Sequence, residues 1–227
     1  MKMNSTLGTN KLALCPLKKD TMDDNGLILI ADISGFTKFV HETDVLLGSK
    51  ITRMLLSSIM DSNILKLKVS EIEGDAILFY KYGSLPTVCS ILRQYEVMLN
   101  NFNTKLKKIK LQFKTKIELS LKVIVHVGKM TRYTIGKFNK LYGESVIEAH
   151  RLLKNPITSK SYVLMTEDLI KTVVDQTAET SCVPNAKRLS KTYDDDKPLE
   201  FTYYDYESHA LAETFVKHNC VNSLHHL

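Results

Sequence analysis

The chain has 227 residues, 44% of them hydrophobic, with a formal net charge of +6. That length suits one domain with a full core and leaves little room for two. No apolar run reaches membrane length and no signal-peptide pattern is seen, so no membrane partner and a cytoplasmic location are expected.

Residues 1–25 read as a flexible N-terminal segment, because the opening MKMNSTLGTN is polar. The apolar run over 27–31 predicts a buried strand that ends at Asp32. A small polar loop, Ser34 to Thr37, leads into a helix over about 44–60, where Leu47, Ile51, Leu55 and Ile59 recur every four residues. LKLKVSEIEGDAILFYK then predicts two strands around a turn at Glu73-Gly74-Asp75, with Gly74 supplying the permissive backbone. A second helix begins near Pro86 and carries Leu92, Tyr95, Leu99, Phe102, Leu106 and Ile109 on one stripe.

Its end, KLKKIKLQFKTK (105–116), holds six lysines and no acid. An anionic partner and a solvated helix end both fit this stretch. Only Phe113 is interleaved, so base stacking, and with it a nucleic-acid partner, is not expected. Alternation from Ile117 to Val125 predicts a strand ending near HVGKM, followed by a loop with Gly136. Val146, Ala149, Leu152 and Leu153 define a third helix closed by Pro156. SYVLMTEDLI predicts a strand and a helix capped by Thr166. The segment 188–206 predicts a closing hairpin with its turn near 194–198. Residues 207–227 read as a C-terminal tail, with His225–His226 in it. The cysteines, Cys15, Cys89, Cys182 and Cys220, lack zinc spacing and are expected to be reduced.

The order β-α-β-β-α-β, with a further helix and strands, predicts an α+β fold: a ferredoxin-like core with C-terminal additions, its sheet antiparallel and its helices on one face. In that topology the end of the first strand lies beside the turn of the middle hairpin. Asp32 and Asp75 would therefore converge. Two converging carboxylates repel, and a cation or a shared proton relieves them. Carboxylates with a backbone carbonyl suit Mg²⁺ or Mn²⁺. The loop after Asp32 offers backbone N–H groups to phosphate. The plainer alternative is a helix cap at Asp32 and an ordinary turn at Asp75.

At these residues the sequence resembles the class III nucleotidyl cyclases, the catalytic domains of adenylyl and guanylyl cyclases. ADISGFTKF matches their first metal motif and EGDAILFY their second. LKVIVHVGKM, LYGESVIEAHRLL and SYVLMTEDLI match the segments that follow. The likeness covers about 26–206, and within the superfamily it is greatest to uncharacterised bacterial stand-alone domains. It implies a nucleoside triphosphate substrate and two divalent ions on Asp32 and Asp75, with the Ile33 carbonyl as a further ligand. Gly35, Phe36 and Thr37 would hold the phosphates, Arg151 would stabilise the transition state, and Glu71 with Lys140 would select the base. It also implies a head-to-tail homodimer in which Arg151 acts across the interface. Without the resemblance, Arg151 reads as a surface arginine pairing with Glu148. Glutamate at position 71 is the guanylyl cyclase choice; Lys140 matches neither base specificity and could pair with Glu71. Ile147 stands where the family carries a ribose-orienting asparagine. Lys191 and Lys197 are candidates for a phosphate-binding lysine. A cyclase-like module that binds metal and nucleotide without turnover is the alternative function.

Overall fold

The computed structural model describes residues 24–177, 186–192 and 198–207. In chain order these form β1 (Asp24–Ser34), α1 (Phe36–Glu42), α2 (Val45–Asp61), β2 (Lys68–Glu73), β3 (Ala76–Tyr82), α3 (Val88–Phe113) and β4 (Ser120–Ile135). Then come β5 (Phe138–Tyr142), α4 (Glu144–Leu152), β6 (Tyr162–Thr166), α5 (Glu167–Thr177), β7 (Lys187–Lys191) and β8 (Leu199–Asp205). Residues 1–23, 178–185, 193–197 and 208–227, which include Cys15, Cys182, Cys220, His225–His226 and most of the closing turn, lie outside the described residues.

The strands follow the order β2-β3-β1-β4-β6-β8-β7, and β5 pairs with β4 off this path. β1 runs antiparallel to both β3 and β4. Together with α1–α2, β2 and α3 they make the expected βαββαβ core. β1 is central because its apolar run is continuous rather than alternating. Leu27, Leu29, Ala31 and Ile33 join one buried cluster with residues of α2, α3 and α5. Ile28 and Ile30 join a second with Ala149 and Leu152 of α4.

Helices therefore cover both faces, and the expectation of one covered face is corrected. The cause is β6, which pairs parallel to β4. A parallel neighbour needs a crossover, and α4 is that crossover, laid across the face opposite α2 and α3. The sheet is mixed rather than purely antiparallel. β4 presents the predicted residues Leu121, Val123 and Val125 to the first cluster, with Leu119 just before it, yet Ile124 on its other face is equally buried.

Two helix starts follow local chemistry. Asp44 caps α2 by accepting from Leu46 N–H at 3.0 Å and Leu47 N–H at 3.1 Å. Such a cap contributes about 1 kcal/mol. Thr87 caps α3 through Ser90 N–H at 3.1 Å.

Several local readings are corrected. The stretch after Gly35 is the short helix α1, too brief to show a period, with only Phe39 buried. The strand expected to end near Met130 continues to Ile135, and the expected Gly136 loop is a hairpin turn into β5. Thr166 ends β6 and stands directly before α5, the position read for it, and its hydroxyl lies 3.0 Å from His126 Nδ1. Cys89, read as reduced, is disulfide-bonded.

Candidate active site

Three strands bring the two aspartates together. Asp32 pairs in register with Ala76 on β3, and Asp75 immediately precedes that residue in the β2–β3 turn. Gly74, at φ 56°, closes the turn. Ile33 N–H donates to the Asp75 carbonyl at 3.3 Å, which ties the turn to the end of β1. Asp32 and Asp75 line the same cleft. Burial, then the charge of Asp32, then hydrogen bonding to Asp32 raise the Asp75 carboxyl to about 6. Lys122, the register partner of Asp32 on β4, opposes the rise, its Nζ lying 3.0 Å from Asp32 Oδ2.

The pair opens into a cleft of about 200 Å³ lined also by Glu71, Glu73, His150 and Leu153. Glu73 is exposed at its rim. Among the described residues no three His, Cys, Asp or Glu side chains converge into a metal cage. Two hard carboxylates with an adjoining backbone carbonyl, that of Ile33, still fit a Mg²⁺-type ion, which completes its shell with water and substrate phosphate. The unfavourable proximity of Asp32 and Asp75 is the feature such an ion relieves.

Gly35, Phe36 and Thr37 follow directly. Gly35 sits at φ 87° and starts α1 without a side-chain cap, so the first N–H groups of α1 have no intrahelical acceptor. A Cβ on Gly35 would meet the Glu118 carbonyl oxygen at 2.8 Å. Gly35→Ala is thus expected to destabilise the protein by about 1–3 kcal/mol. Urea unfolding checks this; an unchanged midpoint would show that the loop relaxes freely.

Glu71 of β2 and Lys140 of β5 form an ion pair. The hydrogen bond to Glu71 holds the Lys140 ammonium above the ordinary lysine value. The two residues read as base-selecting are therefore partners of each other.

Arg151 is half-buried on α4, and it is not among the residues lining the Asp32–Asp75 cleft of its own chain. Ile147, one turn earlier, is 55% exposed. Glu148 Oε2 accepts from His126 Nε2–H at 3.0 Å, and His126 is buried. This bridge, with Thr166 on the other ring nitrogen, ties α4 to β4 and β6. Lys191 donates its ammonium to the Lys154 carbonyl just after α4, and Lys197 lies outside the described residues.

Two residues of this region escaped the sequence reading. His150 lines the cleft, and its imidazole makes no hydrogen bond among the described residues. Its signal was its position beside Arg151, but helix periodicity alone does not say which neighbour a residue meets. Lys122 gave no signal, since lysine on a strand reads as a solvated position.

The whole arrangement can be set beside known structures. The adenylyl cyclase CyaB from P. aeruginosa superposes with a TM-score of 0.64 at 12% identity, covering 81% of this chain and 94% of that one. The guanylyl cyclase Cya2 gives 0.61 at 14% identity, over 79% and 90%. The fold is that of a class III cyclase catalytic domain. The guanylate cyclase domain of RhGC from Catenaria anguillulae, solved in complex with GTP, gives 0.54 at 14% identity, over 80% and 96%. In sequence, residues 52–162 of this cyclase-like chain match a family described as protein of unknown function (DUF2652). The uncharacterized protein Rv2561/Rv2562 of Mycobacterium tuberculosis (strain ATCC 25618 / H37Rv) is 28% identical over 137 residues. That match spans 57% of this chain and 63% of the relative's length.

Proposed function

We propose that this protein is a class III-type nucleotidyl cyclase, converting a nucleoside triphosphate into a 3′,5′-cyclic nucleotide and pyrophosphate as a head-to-tail homodimer. The observation that carries the reading is the convergence of Asp32 and Asp75 on one cleft at the end of β1, on a cyclase fold. Mg²⁺ or Mn²⁺ bound there would offset phosphate charge and ease loss of the ribose 3′-hydroxyl proton. Asp32, Asp75 and the Ile33 carbonyl would hold the cation. The backbone N–H groups of Gly35, Phe36 and Thr37 would orient the β- and γ-phosphates. Arg151 would meet the charge that develops at the α-phosphate as the 3′-oxygen attacks and pyrophosphate departs.

Arg151 would come from a second copy, which explains its place outside its own chain's cleft. Two apolar surfaces support that partner. The β4–β5 hairpin exposes Tyr133, Ile135, Phe138 and Tyr142. A groove of about 510 Å³, lined by Phe36, Val40, Val45, Leu56, Met60 and Ile72, lies against α1 and α2. Among the described residues no helix is long and apolar enough to cross a membrane.

GTP is the expected substrate, because a glutamate at position 71 can accept from guanine N1–H and N2–H₂. Lys140 competes for the same carboxylate. Lys140→Ala is therefore expected to raise the preference for GTP over ATP on the order of tenfold, the worth of one charged hydrogen bond. Competition between the two nucleotides measures it; a fall in that preference would place Lys140, not Glu71, on the base.

The test of the function is incubation with Mn²⁺ and ATP, GTP, CTP or UTP separately, with product read by mass spectrometry and Asp32→Ala alongside. A cyclic nucleotide that vanishes in Asp32→Ala is the expected result. Ile147 favours one other reading. Its exposed apolar side chain offers no hydrogen bond to a ribose, which suits a module that binds metal and nucleotide without turnover. Four blanks with retained Mn²⁺–nucleotide binding would select that module.

A further inference from the structure

We propose that Glu148 and His126 are positioning residues for Arg151. A buried line of hydrogen bonds from Thr166 through His126 to Glu148 sets the seat of α4, and with it the place of the guanidinium that α4 carries. This rests on the cyclase reading above and deepens it.

His126 stands on β4, is only 2% exposed, and takes no part in the chemistry proposed above. Its ring is held at both nitrogens. Nδ1 lies 3.0 Å from the hydroxyl of Thr166, which ends β6 and is itself 2% exposed. Nε2–H donates to Glu148 Oε2 on α4 at 3.0 Å. Turning this ring would leave a buried polar group unpaired, which is costly where the dielectric is low. The imidazole is thus a fixed strut from two strands to one helix.

That helix has nine residues and no side-chain cap at its start. Ala149 and Leu152, both fully buried, choose the face it lays against Ile28 and Ile30 of β1. Apolar contact is non-directional, so by itself it lets a short helix roll or slide. The start of α4 is held by close approach and a hydrogen bond. A Cβ on Gly128 would meet Ser145 Cβ at 2.6 Å, and Ser145 Oγ donates to the Lys129 carbonyl at 2.8 Å. The bond from His126 to Glu148 is the next directional tie, about one turn further on. Arg151 follows three residues later, a neighbour of Glu148 on the helix surface. Roll matters here because successive residues stand about 100° apart. His150 enters its own chain's cleft and Arg151 does not. A displacement of about 1 Å in a group that meets the transition state can cost on the order of 10²-fold in rate.

The test is a double-mutant cycle on the full chain, with cyclic-nucleotide formation and calorimetric Mn²⁺–nucleotide affinity measured for each variant. Glu148→Ala is expected to lower kcat on the order of tenfold and to leave that affinity unchanged. His126→Asn retains a partner for Thr166 but is too short to reach Glu148, and is expected to do the same. Glu148→Gln still accepts from Nε2–H and is expected to keep wild-type kcat. In an Arg151→Ala background, Glu148→Ala is expected to cost nothing further. If Glu148→Ala fails to fold, Glu148→Leu with His126→Phe, which removes donor and acceptor together, takes its place in the cycle. Wild-type kcat in Glu148→Ala overturns the proposal. A loss that repeats in the Arg151→Ala background also overturns it, since the effect is then general destabilisation. So does a loss in Glu148→Ala that is absent from folded His126→Asn, because the tie to the sheet then carries nothing. A wild type that forms no cyclic nucleotide refutes the cyclase reading, and the positioning role with it. An active wild type unmoved by Glu148→Ala refutes the positioning role alone.

Discussion

Asp75→Asn is expected to raise the melting temperature of the metal-free protein at pH 8 and to abolish the stabilisation by Mn²⁺ that the proposed metal site implies. The first effect follows from burial and Asp32, which raise the Asp75 carboxyl from 3.8 to about 6 in the folded chain. A raised folded value means that the native state holds its proton more tightly than the unfolded chain. The contribution of Asp75 to stability is thus complete below about pH 4 and is lost as pH rises to about 6. Above that range the ionised pair opposes folding. Asparagine keeps a donor toward Asp32 and removes the charge. Because Asp75 is only half-buried, solvent screening reduces the gain to on the order of 1 kcal/mol, or about 2–4 °C for a chain of this size. At pH 4 the gain should vanish.

The second effect has the opposite sign. A ligand at one hundred times its dissociation constant stabilises the folded state by about 2.7 kcal/mol. Wild type should show that rise with Mn²⁺ and Asp75→Asn should not. Thermal melts at pH 4 and 8, with and without Mn²⁺, check both. A lower melting temperature for the variant at pH 8 would show that the pair is structural, and an equal Mn²⁺ response would place the metal elsewhere.

On the proposed reading, Arg151→Ala is expected to lower turnover by about 10²–10³ while ground-state binding of the Mn²⁺–nucleotide changes little, because its interaction would develop only with the transition-state charge. Mixing then distinguishes action within a chain from action across the dimer. In a head-to-tail dimer of one Asp75→Asn chain and one Arg151→Ala chain, one site carries both defects and the other carries neither. An equal mixture that exchanges subunits freely should recover about a quarter of wild-type activity from two inactive proteins. Calorimetry supplies the binding arm and product formation the activity arm. Equal loss of binding and turnover would make Arg151 a ground-state ligand. No recovery on mixing, with exchange shown by mixed dimers in native mass spectrometry, would place the arginine in its own chain's site.

Much of this site was legible because its residues lie where local pattern and simple topology agree. The apolar run before Asp32 marks a central strand. Glycine at 74 marks the hairpin turn, and the βαββαβ order makes those two ends neighbours. Convergence of Asp32 and Asp75 needs no more than that. The helix stripes of α2 and α3 were equally readable, since a period of 3.6 over four or more turns has no competing explanation. The β4–β5 hairpin was not. Its apolar residues are exposed, so its pattern does not report burial against its own chain.

What the sequence determined by itself is the set of elements, the faces their apolar residues seek, and the two carboxylates at one sheet end. Only the tertiary structure decided which partners those carboxylates meet. Lys122 stands opposite Asp32 because of the β1–β4 register, and Glu71 meets Lys140 although 69 residues separate them. The parallel β6 sent α4 to the second face and brought His150 into the cleft. Periodicity encodes the side of the sheet a residue faces. The neighbour it finds there depends on the pairing of distant strands, which is fixed only when both faces of the sheet pack at once.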